Sequence, residues 1–482
     1  MFSTISVGFS LQSSRNISAS GMISYWPRID IIVDASKVIG INNLSIGFQL
    51  DHLSWYGFSL GSTAQERQQL ARNANFRLIR VFDFRNTTPR LMPCIYFNET
   101  NPEASVWDWS YVDALVDAIF SVGAEPLFCL GWASPDMEKF IPTGMAINPA
   151  TGLPYPQSYA AYAVEWVRHF KQTGKPVRFY EIMNEPFDYF GWNPSDTTLL
   201  GYYVELWNTV ARAMRAENPN VMLSQDAITQ KNVFNYWLKY GDDVDFLDFH
   251  KYDTSKIGEC GDAELFRRAE VYRFETTTST YGVDYVRQKW MEQRGKILPV
   301  VNSESNLNSA WETGTDPKIQ QMAGAVWTAL VLRMGVLKGL SYNVYFEFLS
   351  SASYGKTTQT GGAGFGMINS DNNKPWYPYY VHYMIGRNLN VGDLIVETAS
   401  SSEDVRCLAW VNEQTLNVLL ICKVDQPRII YVQGLQGQLN ISRIDNTVSW
   451  ENAAIQSQVI NSGEPIIFNG YTVALIQARL NV

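Results

Sequence analysis

Short apolar runs alternate with longer helix-like stretches between about residues 41 and 388. The apolar runs have the length and the β-branched and aromatic content of buried strands, and polar or turn-forming residues follow them. In chain order they cover residues 46–53, 77–84, 125–132, 177–184, 221–227, 244–252, 297–305 and 339–348. Amphipathic segments such as TAQERQQLARNA and YAAYAVEWVRHF lie between them. Eight strands that alternate with helices predict an α/β protein with a (β/α)8 TIM barrel.

The pattern changes after about residue 388. Segments such as LAWVNEQTLNVLLICKV and YTVALIQARL alternate apolar and polar residues, are separated by turn clusters and show no helical period. This texture predicts an accessory antiparallel β-sandwich. We therefore expect three parts: residues 1–40 contribute strands that complete the sandwich, residues 41–388 form the barrel, and residues 389–482 form the C-terminal sandwich.

Charge and composition exclude several classes of ligand. The net charge of -9 disfavours nucleic acid as a partner. Five widely spaced cysteines and four scattered histidines form no metal motif, and no nucleotide or flavin motif is present, so we expect neither a metal nor a cofactor. Cys407 and Cys422 lie on neighbouring strand-like segments, and the sequence leaves open whether they form a disulfide.

Two features concern the location of the protein. No stretch approaches the roughly 20 apolar residues that a membrane helix needs, so we expect no membrane span. The N-terminal residues lack the basic segment and apolar run of a signal peptide. Asn-x-Ser/Thr triplets, the first of them at Asn16, nevertheless favour an extracellular location. The sequence does not determine an oligomeric state.

Two glutamates stand where barrel enzymes carry their chemistry, at the C-terminal ends of strands. Glu185 follows the fourth predicted strand in RFYEIMNEPF, and Glu304 ends the seventh in LPVVNSESN. Either one alone is equally compatible with a surface carboxylate, but the fourth and seventh strands face each other across a barrel mouth. Glu181, inside the fourth strand, and Glu347, without an Asn-Glu context, rank below this pair.

Hydrolysis of a glycosidic bond uses two carboxyl groups that face each other across the scissile bond. One group protonates the departing oxygen, and the other attacks the anomeric carbon or activates water. In the retaining mechanism the two groups lie about 5–5.5 Å apart, whereas inverting enzymes separate them by about 6.5–9.5 Å. We expect the shorter distance here, with Glu185 as acid/base and Glu304 as nucleophile.

Through Asn184-Glu185-Pro186 and residues at other strand ends, the sequence resembles the glycoside hydrolases of clan A. Members of this clan are (β/α)8 barrels with an Asn-Glu acid/base after strand 4 and a Glu nucleophile at strand 7. The resemblance covers residues 41–388 in layout. It implies that Asn184 binds the sugar 2-hydroxyl and that Arg80 supports the nucleophile. His250 and Tyr252 resemble the clan's His-x-Tyr, whose tyrosine hydrogen-bonds the nucleophile. An arginine beside a carboxylate also favours its ionised form.

Two departures from the clan pattern affect the family assignment. The nucleophile stands in the context Ser303-Glu304-Ser305, and strand 8 ends without the tryptophan of many members, so that Phe346 becomes the candidate sugar platform. The barrel joined to a sandwich most resembles family 39, while families 5, 30, 51 and 79 remain open.

Aromatic residues near the predicted strand ends suggest several sugar subsites. They are Trp55, Trp132, Trp192, Trp311 and Trp376. A row of subsites favours an endo-acting enzyme on β-linked polysaccharide such as xylan, cellulose or mannan. An exo-acting β-xylosidase or β-glucosidase is the alternative, and a non-catalytic carbohydrate-binding barrel is a third hypothesis.

Overall fold

The structure is a computed structural model and describes residues 26–51, 54–82, 90–132, 139–186, 197–225, 230–278, 280–310, 316–350 and 364–480. The strands up to the end of the barrel are β1 (Arg28–Ile41), β2 (Ser45–Asp51), β3 (Leu78–Phe82), β4 (Cys94–Tyr96), β5 (Val106–Trp107), β6 (Glu125–Cys129), β7 (Phe179–Glu181), β8 (Met222–Ser224), β9 (Leu247–Thr254), β10 (Val300–Asn308), β11 (Tyr342–Tyr345), β12 (Leu349–Ser350) and β13 (Ile368–Asn369). The later strands are β14 (Leu394–Ser400), β15 (Val405–Asn412), β16 (Thr415–Cys422), β17 (Arg428–Gln433), β18 (Gln438–Asp445), β19 (Gln456–Asn461), β20 (Ile466–Phe468) and β21 (Thr472–Arg479). The α-helices are α1 (Ser54–Ser59), α2 (Ala64–Asn73), α3 (Ser110–Ser121), α4 (Pro156–Thr173), α5 (Thr197–Glu217), α6 (Lys231–Tyr240), α7 (Asp262–Val271), α8 (Val283–Arg294), α9 (Met322–Leu337) and α10 (Tyr377–Asn388).

A parallel eight-stranded sheet forms the centre of the molecule, in the order β8-β7-β6-β3-β2-β11-β10-β9. Hydrogen bonds join its two outer strands. The backbone N–H of Asp245, just before β9, donates to the Leu223 carbonyl oxygen in β8 at 2.8 Å, and the Ser224 hydroxyl donates to the Phe246 carbonyl oxygen at 2.9 Å. The sheet therefore closes on itself, and the predicted (β/α)8 barrel is confirmed.

The barrel interior changes from apolar to polar along its axis. One end is filled by a layer of buried side chains: Leu78, Leu127, Phe179, Phe246, Val301 and Val344. Successive side chains of a strand alternate between its faces, so residues two positions further also point inward. At those positions β3 has Arg80, β7 has Glu181 and β9 has Asp248, and all three are fully buried. A charged layer therefore lies above the apolar one.

Strand β10 has a bulge at Ser303, and it does not end at Glu304 as the sequence predicted. On its β9 side, Asn302 pairs with Phe249 and Glu304 pairs with His250, so β10 has one extra residue. Val301 belongs to the inner apolar layer, and a regular strand would place Glu304, three residues later, on the outer face. The bulge restores the inward direction of Glu304, and the strand continues to Asn308.

Helix α4 shows how the barrel's outer layer follows from the sequence. Pro156 stands at its first turn, where the missing N–H costs nothing, and Gly174 ends it with a left-handed φ of 69°. Tyr159, Tyr162 and Trp166 recur at helical spacing on its buried face. This stripe covers the barrel strands beneath it.

The strands of the C-terminal region form a nine-stranded sheet in the order β19-β18-β21-β16-β15-β14-β1-β17-β20. Its pairs are antiparallel except that of β1 with β17, which is parallel. Alternate side chains such as Val418 and Ile476 form a core within the folded sheet. Those between them, such as Leu419 and Leu475, join the main apolar cluster of the barrel. The predicted accessory β-sandwich is confirmed, while the three-part division at residues 40 and 388 stays a prediction.

Glu270 of α7 lies where the barrel and the sandwich meet. Its carboxylate is 2.7 Å from Nε of Arg406 in β15, 3.4 Å from Nη1 of Arg333 in α9, and 3.3 Å from Nζ of Lys423. Helix α9 is apolar on nearly all sides because it is covered by both domains, and Arg333 is the single charged residue within it. One carboxylate thus balances three cations at the interface.

We expect Glu270→Gln to lower the free energy of unfolding by about 2–3 kcal/mol, because Arg333 and Lys423 would lose their counterion and Arg406 would keep only the exposed Glu403. Glu264→Gln is the matched control on the same helix, since Glu264 pairs with Arg267 in a largely exposed position. That change should cost less than about 1 kcal/mol. Urea denaturation of both variants measures the difference, and equal losses would contradict the role given to Glu270.

Two remaining expectations concern cysteines and membranes. Cys407 and Cys422 are free thiols, and in the register of β15 with β16 Cys407 stands opposite Leu420, while Cys422 stands opposite Val405. No helix in the described ranges is long and apolar enough to cross a membrane.

Candidate active site

Arg80 organises the centre of the barrel mouth. Its side chain is wholly buried, and its guanidinium donates to a carboxylate or amide oxygen of four residues: Gln49 at 2.7 Å, Glu181 at 2.8 Å, Asn184 at 2.6 Å and Glu304 at 2.7 Å. Because these partners come from β2, β7, the segment after β7 and β10, the guanidinium fixes their side chains relative to one another.

Glu304 is held as a hydrogen-bond acceptor on both of its oxygens. Arg80 donates to Oε2 at 2.7 Å, and the Tyr252 hydroxyl donates to Oε1 at 2.5 Å. The side chain is only 9% exposed. Both donors stabilise the ionised carboxylate, so the contacts suit a group that attacks as an anion.

Glu185 lies just beyond β7, where the chain leaves the ladder. An isolated bridge between Trp132 and Asn184 continues the pairing of β6 and β7, and Glu185 follows with a left-handed φ of 38°. This backbone conformation is uncommon for a residue with a side chain. Its carboxylate Oε1 is 2.6 Å from Nδ1 of His250, and the side chain is 17% exposed.

The two carboxylates are close neighbours. One oxygen of Glu185, one oxygen of Glu304 and a ring nitrogen of His250 all lie within 4.8 Å of one another. His250 Nδ1 itself is 4.0 Å from Glu304 Oε1. These oxygens are thus no further apart than the about 5–5.5 Å between the carboxyl groups of retaining glycosidases, and closer than the roughly 6.5–9.5 Å that admits a water molecule in inverting ones.

Burial and neighbouring charges move the pKa values of the pair apart. Burial raises the pKa of Glu304 and outweighs the opposing charges of His250 and Arg80. Burial also acts on Glu185, but the charge and hydrogen bond of His250 hold the pKa of that carboxyl below its ordinary value. In the empty site a proton shared by the pair therefore favours Glu304.

The same three residues are also a group of potential metal ligands, since Glu185, His250 and Glu304 each offer a ligand atom. The guanidinium of Arg80, 2.7 Å from Glu304, already supplies a positive charge at this place. A divalent ion would meet electrostatic repulsion from it. The residues present therefore fit an organic substrate better than a metal ion.

The structure brings together most of the residues predicted from the sequence. Arg80, Asn184, Glu185, His250, Tyr252 and Glu304 form one cluster. The carbonyl oxygen of the Asn184 amide accepts from Arg80, and its N–H₂ group offers two donors to a ligand.

The predicted aromatic platform residues differ in their positions. Trp132 adjoins Asn184 and packs edge-on against Phe140, with ring centres 4.6 Å apart. Phe346 lies beside Tyr252, with a ring-centre distance of 6.3 Å, and is 6% exposed. Trp192 and Trp311 lie outside the described residues.

Trp55 and Trp376 do not line the site, contrary to expectation. Trp55 is fully buried and Trp376 is 2% exposed, so both serve the core. Large apolar side chains usually have this role.

Three polar residues of the site were not assigned to it from the sequence: Gln49, Glu181 and Asp248. Glu181, considered there only as a rival catalytic carboxylate, is wholly buried and bonded to Arg80. The signal that could have found Glu181 and Asp248 is their spacing. Each stands two positions after an apolar residue of the inner layer, Phe179 or Phe246, on the same face of its strand.

Comparison with known proteins places the fold. No model of a protein family matches the sequence, and no curated protein matches it either. Solved structures do match over nearly the whole chain. A GH39 β-xylosidase from Caulobacter crescentus has a TM-score of 0.62 at 16% identity, covering 93% of this chain and 99% of its own.

Three further structures extend the comparison. An α-L-arabinofuranosidase from Thermotoga maritima has a TM-score of 0.64 at 13% identity, with 94% of this chain and 100% of its own covered. A bifunctional glucanase-xylanase from a metagenome library has a TM-score of 0.59 at 12% identity, with the same coverage. An α-L-arabinofuranosidase of family GH51 from Thermotoga petrophila has a TM-score of 0.64 at 13% identity, with 94% of this chain and 100% of its own covered. The predicted resemblance is confirmed at the level of the fold: the chain has the architecture of the clan A glycosidases of families 39 and 51.

Proposed function

We propose that this protein is a retaining glycoside hydrolase in which Glu304 is the nucleophile and Glu185 the acid/base. The observation that carries the proposal is the pair itself. Two carboxylates lie within 4.8 Å of each other, and only Glu304 accepts from both Arg80 and Tyr252. A carbohydrate-binding barrel without activity would not need this asymmetry.

The proposed reaction has two displacements. Glu304 attacks the anomeric carbon while the glycosidic C–O bond breaks, and the proton of Glu185 passes to the departing oxygen. This leaves a glycosyl ester on Glu304. In the second step Glu185 takes a proton from a water molecule while the oxygen of that water attacks the anomeric carbon. The ester bond to Glu304 breaks, and both carboxyl groups return to their starting states.

The pKa directions in the empty site have a consequence for this mechanism. It requires Glu185 protonated and Glu304 ionised, whereas the shared proton favours Glu304. The competent state is then the less populated of the two singly protonated forms. The observed pH dependence should therefore belong to the pair as a unit.

For the substrate we propose β-linked saccharides, with two candidate modes of action. Cleavage within xylan, cellulose or mannan was favoured by the aromatic residues, but Trp55 and Trp376 are buried in the core. The enclosure of Glu304, whose side chain is 9% exposed, favours the second mode, removal of a terminal xylose or glucose. We also propose an extracellular location, where such saccharides are encountered.

A panel of xylan, β-glucan, mannan, xylobiose, cellobiose and aryl glycosides tests the proposal. Release of reducing sugar identifies the substrate, and the size of the first products separates endo from exo action. Proton NMR of the first-formed product should show the β anomer. The proposal fails if no member of the panel is cleaved by pure protein, or if the first product is the α anomer.

His250 and Tyr252 should affect different limbs of the pH–rate profile. Because Glu304 has the higher pKa of the pair, its titration sets the alkaline limb and that of Glu185 sets the acidic limb. Tyr252→Phe removes a donor that stabilises ionised Glu304, so it should raise the pKa of that carboxyl and move the alkaline limb to higher pH. His250→Ala removes a group that lowers the pKa of both carboxyls, so both limbs should move to higher pH. Each shift should be about 0.5–1 unit, the size expected for one hydrogen bond.

Profiles of kcat/KM against pH for the two variants and the unmodified protein measure these shifts. The two variants are controls for each other, because the acidic limb should move in His250→Ala and stay largely in place in Tyr252→Phe. Movement of only the acidic limb in Tyr252→Phe would contradict this order of the two pKa values.

A further inference from the structure

Glu181 and Asp248 lie below the carboxylate pair, in the charged layer of the barrel, and both are fully buried. Glu181 Oε2 accepts from two nitrogens of Arg80, Nε at 2.8 Å and Nη2 at 2.7 Å. Two donors from one guanidinium mark Glu181 as an anion. Its pKa lies below the ordinary value, since Arg80 and a hydrogen bond with Asp248 outweigh the effect of burial.

Glu181 and Asp248 are near enough to hydrogen-bond, but such a bond requires a proton on one of them. Ionised carboxylates only accept, so two of them cannot bond to each other. Within the described part of the chain, no backbone or side-chain N–H or neutral hydroxyl donates to Glu181 Oε1. A protonated Asp248 would satisfy this oxygen, whereas a second buried anion beside it would be strongly repelled.

The balance of charge in the barrel leads to the same conclusion. Glu181, Asp248 and Glu304 are three buried carboxyls, and Arg80 is the cation in direct contact with two of them. With one proton on the catalytic pair, the remaining carboxylate of that pair together with ionised Glu181 and ionised Asp248 would carry three negative charges against the two positive charges of Arg80 and His250. Burial is known to keep a carboxylic acid neutral at pH 7, and such an acid can serve as a hydrogen-bond donor.

We propose that Asp248 is protonated at neutral pH and donates to Glu181, and that this singly charged pair holds Arg80 against Glu304. Asp248 and Glu181 are then positioning residues, which act on the nucleophile through the guanidinium. The link to catalysis rests on the proposed function, whereas the protonation of Asp248 does not.

Infrared difference spectroscopy tests the proton directly. Asp248→Asn replaces the O–H donor with an amide donor of nearly the same shape. We expect the unmodified protein at neutral pH to show the C=O stretching band of a protonated carboxylic acid that Asp248→Asn lacks. Glu264→Gln is the control, because Arg267 and Arg268 hold the pKa of Glu264 at about 2 and its loss removes only carboxylate bands. The proton shared by Glu185 and Glu304 adds an acid band that both proteins keep, so a difference spectrum in which Asp248→Asn loses no acid band would overturn the proposal.

The positioning role is tested by the rate at which an activated 2-fluoro β-xyloside or β-glucoside labels Glu304, a step that needs little help from Glu185. Asp248→Asn keeps the donor and should label within about threefold of the normal rate. Asp248→Leu removes it and should label about 100-fold more slowly, because Arg80 shifts relative to Glu304.

Equal slowing in the two variants, or normal labelling of Asp248→Leu, would overturn the positioning role. If Asp248→Leu fails to fold, Asp248→Asn still decides the matter, since slow labelling by this variant alone contradicts the proposal. If neither glycoside labels the unmodified protein, the proposed function is in question, while the infrared result still decides the protonation of Asp248.

Discussion

Glu304→Gly should reduce kcat for hydrolysis by at least about 10⁴-fold while leaving the fold intact. The carboxylate is held between Arg80 and Tyr252, and no other carboxylate of the described site has both donors. Without it, no group attacks the anomeric carbon from below. Water in the vacated space could enter, but it would have no base on that face to activate it.

The variant also offers a positive readout. With α-glycosyl fluorides, which resemble the missing glycosyl ester, Glu304→Gly should join sugars instead of cleaving them, because Glu185 still activates the acceptor. Mass spectrometry of the unmodified protein treated with a 2-fluoro glycoside should find the label on the peptide that contains Glu304.

Glu347→Gln is the matched control for this change. Glu347 is another buried carboxyl near the barrel mouth, and it accepts from the Ser350 hydroxyl at 2.7 Å. Its replacement should keep activity within about tenfold. Loss of activity in Glu347→Gln, together with label on Glu347, would show that Glu347 and not Glu304 is the nucleophile.

Glu185→Ala should slow the cleavage of substrates with poor leaving groups by about 10²–10⁴-fold, the usual contribution of a general acid. Substrates with an activated aryl leaving group need little protonation, so their bond cleavage should be far less affected. The second step also needs Glu185, to activate water. Added azide needs no base, and it should restore turnover by forming a β-glycosyl azide.

Steady-state rates on a series of aryl glycosides of graded leaving-group pKa measure this dependence. The Glu185→Ala series should show a steep slope where the unmodified protein shows a shallow one. Equal losses across the series, without rescue by azide, would show that Glu185 is not the acid/base.

The barrel could be predicted from the sequence because each of its strands is buried on both faces. Segments such as 77–84 and 339–348 therefore appear as continuous apolar runs between amphipathic helices. The sandwich could be predicted for the opposite reason, since its strands alternate between two different environments. The parallel pairing of β1 with β17 could not, because alternation within a strand carries no information about the direction of its neighbour.

The candidate site was predictable where chemistry stands at a strand end and less so elsewhere. Glu185 lies past the end of a strand as expected, although β7 ends at Glu181 and not at residue 184. Glu304 lies within β10, four residues before its end at Asn308. A bulge such as that at Ser303 depends on the pairing with β9 and leaves no mark in the sequence of β10 alone. Glu181 and Asp248 were missed because their importance depends on Arg80 reaching them across the barrel.

The left-handed backbone at Glu185 means that selection for stability and selection for activity favour different residues at this position. A φ of 38° costs a residue with a Cβ about 1–3 kcal/mol, whereas glycine adopts it freely. Glu185→Gly should therefore melt at a higher temperature than Glu185→Ala. A library screened only for soluble, heat-resistant protein would accumulate glycine at this position and yield a well-folded scaffold without activity. Directed evolution of a more stable form therefore requires that every round of selection also include an assay for sugar release.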